Sequence, residues 1–159
     1  MLPRIGASAY PQAVDREAVL GQFEHLVMGA VGLTTRALGG ATPGADLTFP
    51  QWRVIVILGE SDGGARVGEI ATRVGVTVPA TSRLLQRLRR RGYISLERDQ
   101  QDGRATRACL TPDGQVVRDT IFAFRRQALA EALATFDDAD LRTIAAGIGA
   151  LADSLDRWT

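Results

Sequence analysis

Between Val67 and Gly92 the chain reads VGEIATRVGVTVPATSRLLQRLRRRG: two amphipathic stretches with only Gly75, Val76 and Thr77 between them. In the first stretch Ile70, Ala71 and Val74 recur at the interval that puts side chains on one face of a helix. Gly75 stands where a tight turn needs a positive φ, which glycine adopts without steric cost. Thr77 is suited to cap a second helix, and Pro79 falls in its first turn, where a missing N–H costs little. That helix runs to Arg91, and Gly92 ends it. Two short helices joined so tightly fit a helix-turn-helix.

The next segment reads as a β-hairpin. Tyr93 to Arg98 (YISLER) forms one strand, Asp99 to Arg104 a polar loop, and Ala105 to Leu110 the return strand, with Thr106, Ala108 and Leu110 alternating with polar residues. A hairpin directly behind a helix-turn-helix is a wing. Its loop carries Arg104 beside Asp99 and Asp102, with Gly103 permitting the turn. Such a loop is either a solvated turn or a tool aimed at a partner.

Helical spacing dominates both flanks. Val19, Phe23, Leu26, Val31 and Leu38 mark one long helix from Val14, stopped by GGATPGAD at Gly39 to Asp46. Thr48 caps another, with Pro50 in its first turn, a buried face of Trp52, Ile55, Val56 and Leu58, and SDGG as its stop. After the hairpin, Thr111 and Pro112 open a long helix through Leu133, and Asp137 starts a last one bearing Leu141, Ile144, Ile148, Leu151 and Leu155. The expected fold is mainly α with a minor β-hairpin: a winged helix-turn-helix whose N- and C-terminal helices form a dimerisation domain. Three segments follow: an arm and dimerisation helix over 1–46, a winged lobe over 47–111, and C-terminal dimerisation helices over 112–159. The terminal apolar stripes exceed what a small basic module can cover, so a second copy of the chain in a two-fold interface is the simplest mate.

All 19 basic residues are arginines, and the net charge of +1 hides their distribution. From Arg66 to Arg107 there are ten arginines against four acids, while the remaining chain has nine against fourteen. A basic middle between acidic flanks points to a polyanion-binding module. Winding Pro79 to Arg91 at about 100° per residue places Thr81, Leu84, Leu85 and Leu88 inward. Pro79, Arg83, Gln86 and Arg90 lie opposite, with Ser82, Arg87 and Arg89 on the shoulders. A helix about 12 Å across can enter the major groove of duplex DNA. Arg83 and Arg87 are then candidates for guanine edges, Gln86 for adenine, and Ser82 or Thr77 for phosphate. The wing would meet the flanking minor groove, whose negative potential attracts an inserted arginine such as Arg104, with Asp102 placed to orient its guanidinium.

The run IATRVGVTVPATSRLLQRLRRRGYISLERDQQDGRATRACLTPDG resembles the DNA-binding lobe of the MarR family of transcriptional regulators. The wing pattern of Asp102, Arg104, Leu110 and Thr111 carries the resemblance most specifically. It extends more weakly to Thr48, Pro50, Gln51 and Trp52 and to the terminal helices. The resemblance implies a triangular homodimer on a palindromic operator, acting as a repressor released by a small-molecule effector. It also implies that Arg104 is a minor-groove arginine oriented by Asp102, and that Ser82 and Arg83 belong to the groove-facing helix. Phe23, His25, Phe49 and Trp52 are candidate effector-lining residues, although core packing explains the aromatic ones better than a ligand cleft does. Family members that sense peroxide place a cysteine near the start of the first helix. The lone Cys109 reads instead as a small core residue.

Other functions fit poorly. One histidine and one cysteine leave most nucleophile–histidine constellations unavailable, and no glycine-rich stretch ends in a P-loop lysine, so no enzyme and no cofactor is expected. A lone His25 gives no multi-histidine metal site. No signal-peptide run or membrane span is evident, which predicts a cytoplasmic location. A winged helix used for protein–protein contact is the alternative, but such surfaces usually expose apolar patches rather than arginines.

Overall fold

The structure is a computed structural model that describes residues 14–40, 47–99 and 105–155. Its packing gives two units, the first ending at Leu33 and the second starting at Thr34. Within the first unit lies most of helix α1 (Arg16–Gly40). Asp15 starts this helix: its Oδ1 accepts from the backbone N–H of Glu17 at 3.1 Å and of Ala18 at 3.3 Å, satisfying groups that a helix start leaves open. The predicted stop at Gly39 falls slightly early, since Gly39 and Gly40 are still helical.

The second unit begins with the last turns of α1, where Thr34, Ala37 and Leu38 are buried. It continues through α2 (Phe49–Glu60), β1 (Ala65–Arg66), α3 (Val67–Val74), α4 (Val78–Arg90), β2 (Ile94–Arg98), β3 (Thr106–Leu110), α5 (Pro112–Leu133) and α6 (Asp138–Leu155). Helix α2 is its centre and touches α3, α4, α5 and β3. That surrounding explains why Gln51, Trp52, Val54, Ile55, Ile57 and Leu58 are all buried, where the sequence predicts a single buried stripe. Val56, assigned to that stripe, is only partly buried. Trp52 packs on Phe122 of α5 with ring centroids 5.5 Å apart, and Ile70, Leu85, Leu88, Ile94, Ala108 and Ile121 complete the core. Burying such side chains supplies the main drive for folding, at about 1.5–3 kcal/mol each.

Local chemistry fixes the element boundaries. Gln51 Oε1 accepts from the Thr48 N–H at 2.9 Å at the start of α2, and Glu69 Oε2 accepts from the Arg66 N–H at 2.9 Å at the start of α3. Gly75 ends α3 in the left-handed region at φ 79°, and its N–H donates to Ala71 O at 3.0 Å. Thr111 Oγ1 accepts from Gly114 N at 3.1 Å and donates to Gly92 O at 2.6 Å, so one hydroxyl both caps α5 and ties it to the end of α4.

The predicted hairpin is present but belongs to a three-stranded antiparallel sheet, in the order β1-β3-β2. Ala65 pairs with Ala108, and on the other side of β3 Ile94 pairs with Leu110 and Leu96 with Ala108. Strand β1 has two residues, too few for any periodicity, and its partner lies far along the chain. Gly64, at φ 87°, makes this pairing possible, because a Cβ there would run into the carbonyl of Ala108.

Behind the sheet, the Asp99 carboxylate is buried, with its side chain only 1% exposed. Arg66 Nε donates to Oδ2 at 2.8 Å and Arg66 Nη2 to Oδ1 at 3.2 Å, while Arg107 Nε reaches Oδ2 at 3.3 Å. Arg107 Nη1 also donates to the carbonyls of Gly63 at 3.1 Å and Gly64 at 2.8 Å. The sequence reading puts Asp99 in the exposed loop. Its side chain instead turns inward, where two guanidiniums offset the cost of burying a carboxylate.

Replacing Asp99 by Ala should lower unfolding free energy by about 2–4 kcal/mol in urea denaturation, since two arginines lose their acceptor in a partly buried setting. Two glycine substitutions should diverge in the same assay. A Cβ on Gly114 would strike the Tyr93 carbonyl, whereas Gly68 opens onto free space in a helix. Gly114→Ala should therefore be strongly destabilising, and Gly68→Ala neutral or stabilising by up to about 1 kcal/mol.

Candidate nucleic-acid interface

Helix α4 presents the candidate site. Thr77 precedes it in an extended conformation and accepts from the Ala80 N–H at 3.4 Å through Oγ1. Thr81, Leu85 and Leu88 are buried as the winding predicts, and Leu84 is partly buried. Thr77, Pro79, Ser82, Arg83, Gln86, Arg87, Arg89 and Arg90 are all exposed. Five of them, Ser82, Arg83, Gln86, Arg87 and Arg90, line one open cleft of about 360 Å³. A smaller cleft of about 170 Å³, lined by Val67, Ser82, Leu85, Gln86, Leu96 and Thr106, adjoins it on the side of the sheet.

The arginines of this lobe fall into two groups by their partners. Arg53 Nη2 donates to the Arg73 carbonyl at 2.7 Å, and Arg73 Nη2 pairs with Glu60 at 2.7 Å; Arg66 and Arg107 hold Asp99. By contrast, the side chains of Arg83, Gln86, Arg87, Arg89 and Arg90 have no hydrogen bond or ion pair among the described residues. Helix α4 contains no acidic residue. Among the described residues its outer face is therefore a surface of unused donors and positive charge, suited to an extended polyanion.

None of the other candidate residues belongs to α4. Asp102 and Arg104 lie outside the described residues. Phe23 is half-exposed and His25 exposed on α1, within the first unit. In the second unit Phe49 is exposed at the start of α2, while Trp52 is a core residue against Phe122. Sequence reasoning passed over Arg66 and Arg107 as structural cations. The only available signal was their position next to predicted sheet residues, which does not identify a partner.

Cys109 is not in the core. Strand alternation gives the buried position to Ala108, leaving Cys109 half-exposed on the opposite face, with Sγ 3.5 Å from the Gly63 carbonyl. Partial burial pushes its thiol pKa up, Glu97 adds to this, and Arg107 opposes it. A raised pKa leaves less thiolate at a given pH, and thiolate is the reactive form. Alkylation by iodoacetamide at pH 8, followed by mass spectrometry, should thus run several-fold slower in the native protein than in the denatured chain. Equal rates would contradict this environment.

Residues 45–105 match the model of the MarR family. An HTH-type transcriptional regulator of Bacillus subtilis, YfiV, is 23% identical over 126 residues, which is 78% of this chain and 78% of YfiV. A MarR family protein from Bacillus stearothermophilus has a similar structure, with TM-score 0.75 and 22% identity over 91% of this chain and 99% of that one. Streptococcus pneumoniae FabT, solved in complex with DNA, aligns with TM-score 0.75 and 17% identity over 91% of this chain and 100% of FabT. No described helix is long and apolar enough to cross a membrane. The helix-turn-helix and strand β2 of the wing fall within 45–105, so this part of the chain is similar to the MarR family.

Proposed function

We propose that this chain is a transcriptional regulator, not an enzyme, that binds double-stranded DNA by laying the outer face of α4 in a major groove. The observation that carries this reading is the set of exposed donors at Arg83, Gln86, Arg87 and Arg90, without a partner among the described residues, which share one face and one cleft. A surface of this kind gains affinity by displacing the counterions that crowd the phosphates of DNA. FabT, with the same fold, has been solved with DNA bound. The wing formed by β2 and β3 extends the interface to the next minor groove, with Arg104 and Asp102 as its proposed contact and orienter. Ser82, Thr77 and Pro79 flank the groove-facing residues at the start of α4.

A homodimer is the proposed assembly. Helix α6 buries no residue, and Leu133, Ile148 and Leu155 of the C-terminal helices stay exposed, as does Phe136 between them. Separately, Val19, Leu20, Leu26 and Met28 are exposed along α1. Apolar surface in that quantity favours a cover, and a two-fold copy supplies one that closes on itself. Two-fold symmetry then calls for a palindromic operator with half-sites about one helical turn apart. Repression relieved by a small-molecule effector is the proposed regulation, with Phe23, His25, Phe49 and Trp52 as residues to probe. Such an effector acts only by binding one of two dimer conformations better than the other.

Fluorescence anisotropy on a duplex from the promoter of its own gene, titrated with salt, tests the reading. Binding should weaken steeply as salt rises, and the double change Arg87→Ala/Arg90→Ala should cost about 10-fold or more in affinity at fixed salt with an unchanged melting temperature. Salt-independent binding, or full affinity in the double variant, would overturn it.

A further inference from the structure

We infer that the Asp99 carboxylate and its two arginines set the position of the wing against α4, so that Asp99, buried and out of reach of DNA, governs affinity through Arg104. This inference rests on the wing contact proposed above and adds the residues that hold that contact in place.

Reaching two successive grooves needs a fixed spacing between helix and wing. The minor groove is about 6 Å wide, so an arginine entering it tolerates little error in direction. Pairing of β2 with β3 fixes the hairpin internally, from Ile94 opposite Leu110 to Arg98 opposite Thr106. Its tilt against the helices depends on contacts outside the hairpin. On the outer side an open cleft of about 560 Å³ separates the wing base from the first residues of α3 and α4. Ala105 and Thr106 line it from the wing, and Arg66, Glu69, Val78 and Ser82 from the helical side.

The charge cluster bridges the edge of that cleft. Asp99 follows the last residue of β2 and precedes the loop bearing Arg104, and its N–H donates to Ala105 O at 3.0 Å. The loop therefore leaves and returns at a closed base. Two bonds from one guanidinium, Arg66 Nε at 2.8 Å and Nη2 at 3.2 Å, fix the direction of the carboxylate as well as its distance. Arg66 is also the N-cap residue of α3, the first helix of the helix-turn-helix. The far end of α3 is held too: Arg73 Nη2 pairs with Glu60 at 2.7 Å, and its Nη1 donates to Ser61 Oγ at 3.3 Å, both at the end of α2. Arg107 completes the bridge, with Nε on Asp99 and Nη1 on the carbonyls of Gly63 and Gly64. The wing base is thus tied to α2 and α3, the helices on which α4 packs. With 1% of its side chain exposed, Asp99 acts on a duplex only through the position it gives to others.

A double-mutant cycle tests this, read by fluorescence anisotropy on the promoter duplex at fixed salt, with each protein's active fraction set by stoichiometric titration. Asp99→Asn keeps the shape and removes the charge. Arg66→Lys keeps the charge and the backbone N–H to Glu69 but loses the fork, and it carries the test where Asp99→Asn does not fold. Each should lose about five-fold or more in affinity in the wild-type background, and no more than Arg104→Ala loses alone. In the Arg104→Ala background the same changes should cost less than about two-fold, because the contact they position is gone. Combined with Arg87→Ala they should add in full, since that residue lies on α4. A change that only destabilises lowers the active fraction and leaves the affinity of folded molecules as it was. That result, or equal losses with and without Arg104, would overturn the positioning role while leaving DNA binding intact. If Arg104→Ala binds as tightly as wild type, the wing contact itself is refuted. If wild type binds without salt dependence, the functional proposal is refuted, and this inference goes with either.

Discussion

A carboxylate taken out of water must be met by opposite charge, and Asp99 is met by two arginines from distant parts of the chain. Arg66 approaches from the two-residue strand β1 and Arg107 from β3. The consequences reach beyond one ion pair. Arg66 also gives its backbone N–H to Glu69 at the start of α3, so the base of the wing and the first helix of the helix-turn-helix share a residue. Arg107 continues to the carbonyls of Gly63 and Gly64, fixing the turn that delivers β1 to the sheet. The backbone N–H of Asp99 donates to Ala105 O at 3.0 Å, which closes the base of the hairpin loop. A buried charge cluster of this sort is a modest source of stability, because desolvation cancels much of the attraction. Its value here is geometric, since breaking any member strands the others.

The chain uses one type of cation for two opposite purposes. Arg53, Arg66, Arg73 and Arg107 spend their several donors on carbonyls and carboxylates of the same lobe and thereby cross-link it. The arginines of α4 spend theirs on nothing within the described residues. Concentrating like charge on one helix costs repulsion, but Arg87, Arg89 and Arg90 occupy its last turn, where the helix dipole favours cations. The surface thus tolerates its charge when free and has it available for a polyanion. Below that surface, Thr81, Leu85 and Leu88 anchor the helix in the core, so the donors project from a rigid support.

Elements whose signals are local were legible in the amino-acid order. Gly75 and Thr77 announced the helix-turn-helix because each acts on its own turn, one through a positive φ and the other through a side-chain cap. The inward and outward faces of α4 followed from winding alone, since helix pitch is fixed by backbone geometry whatever the surroundings. The proposed site residues on α4 were identified in this way. Effector-lining candidates were not separable from core residues, because an aromatic side chain has the same periodicity in a pocket as in a core; Trp52 turned out to lie against Phe122.

By itself, then, the sequence determined the order and type of the helices, the hairpin, the concentration of arginine in the middle of the chain and the face of α4 that bears it. Tertiary structure alone decided that α2 is buried on nearly every side, that β1 adds a third strand, and that Asp99 turns inward to Arg66 and Arg107 while Cys109 does not reach the core. The physical reason is range. Caps, glycine turns and helical winding act over a few residues and leave their mark in the local order, whereas strand pairing and ion pairing join residues that only the folded chain brings together.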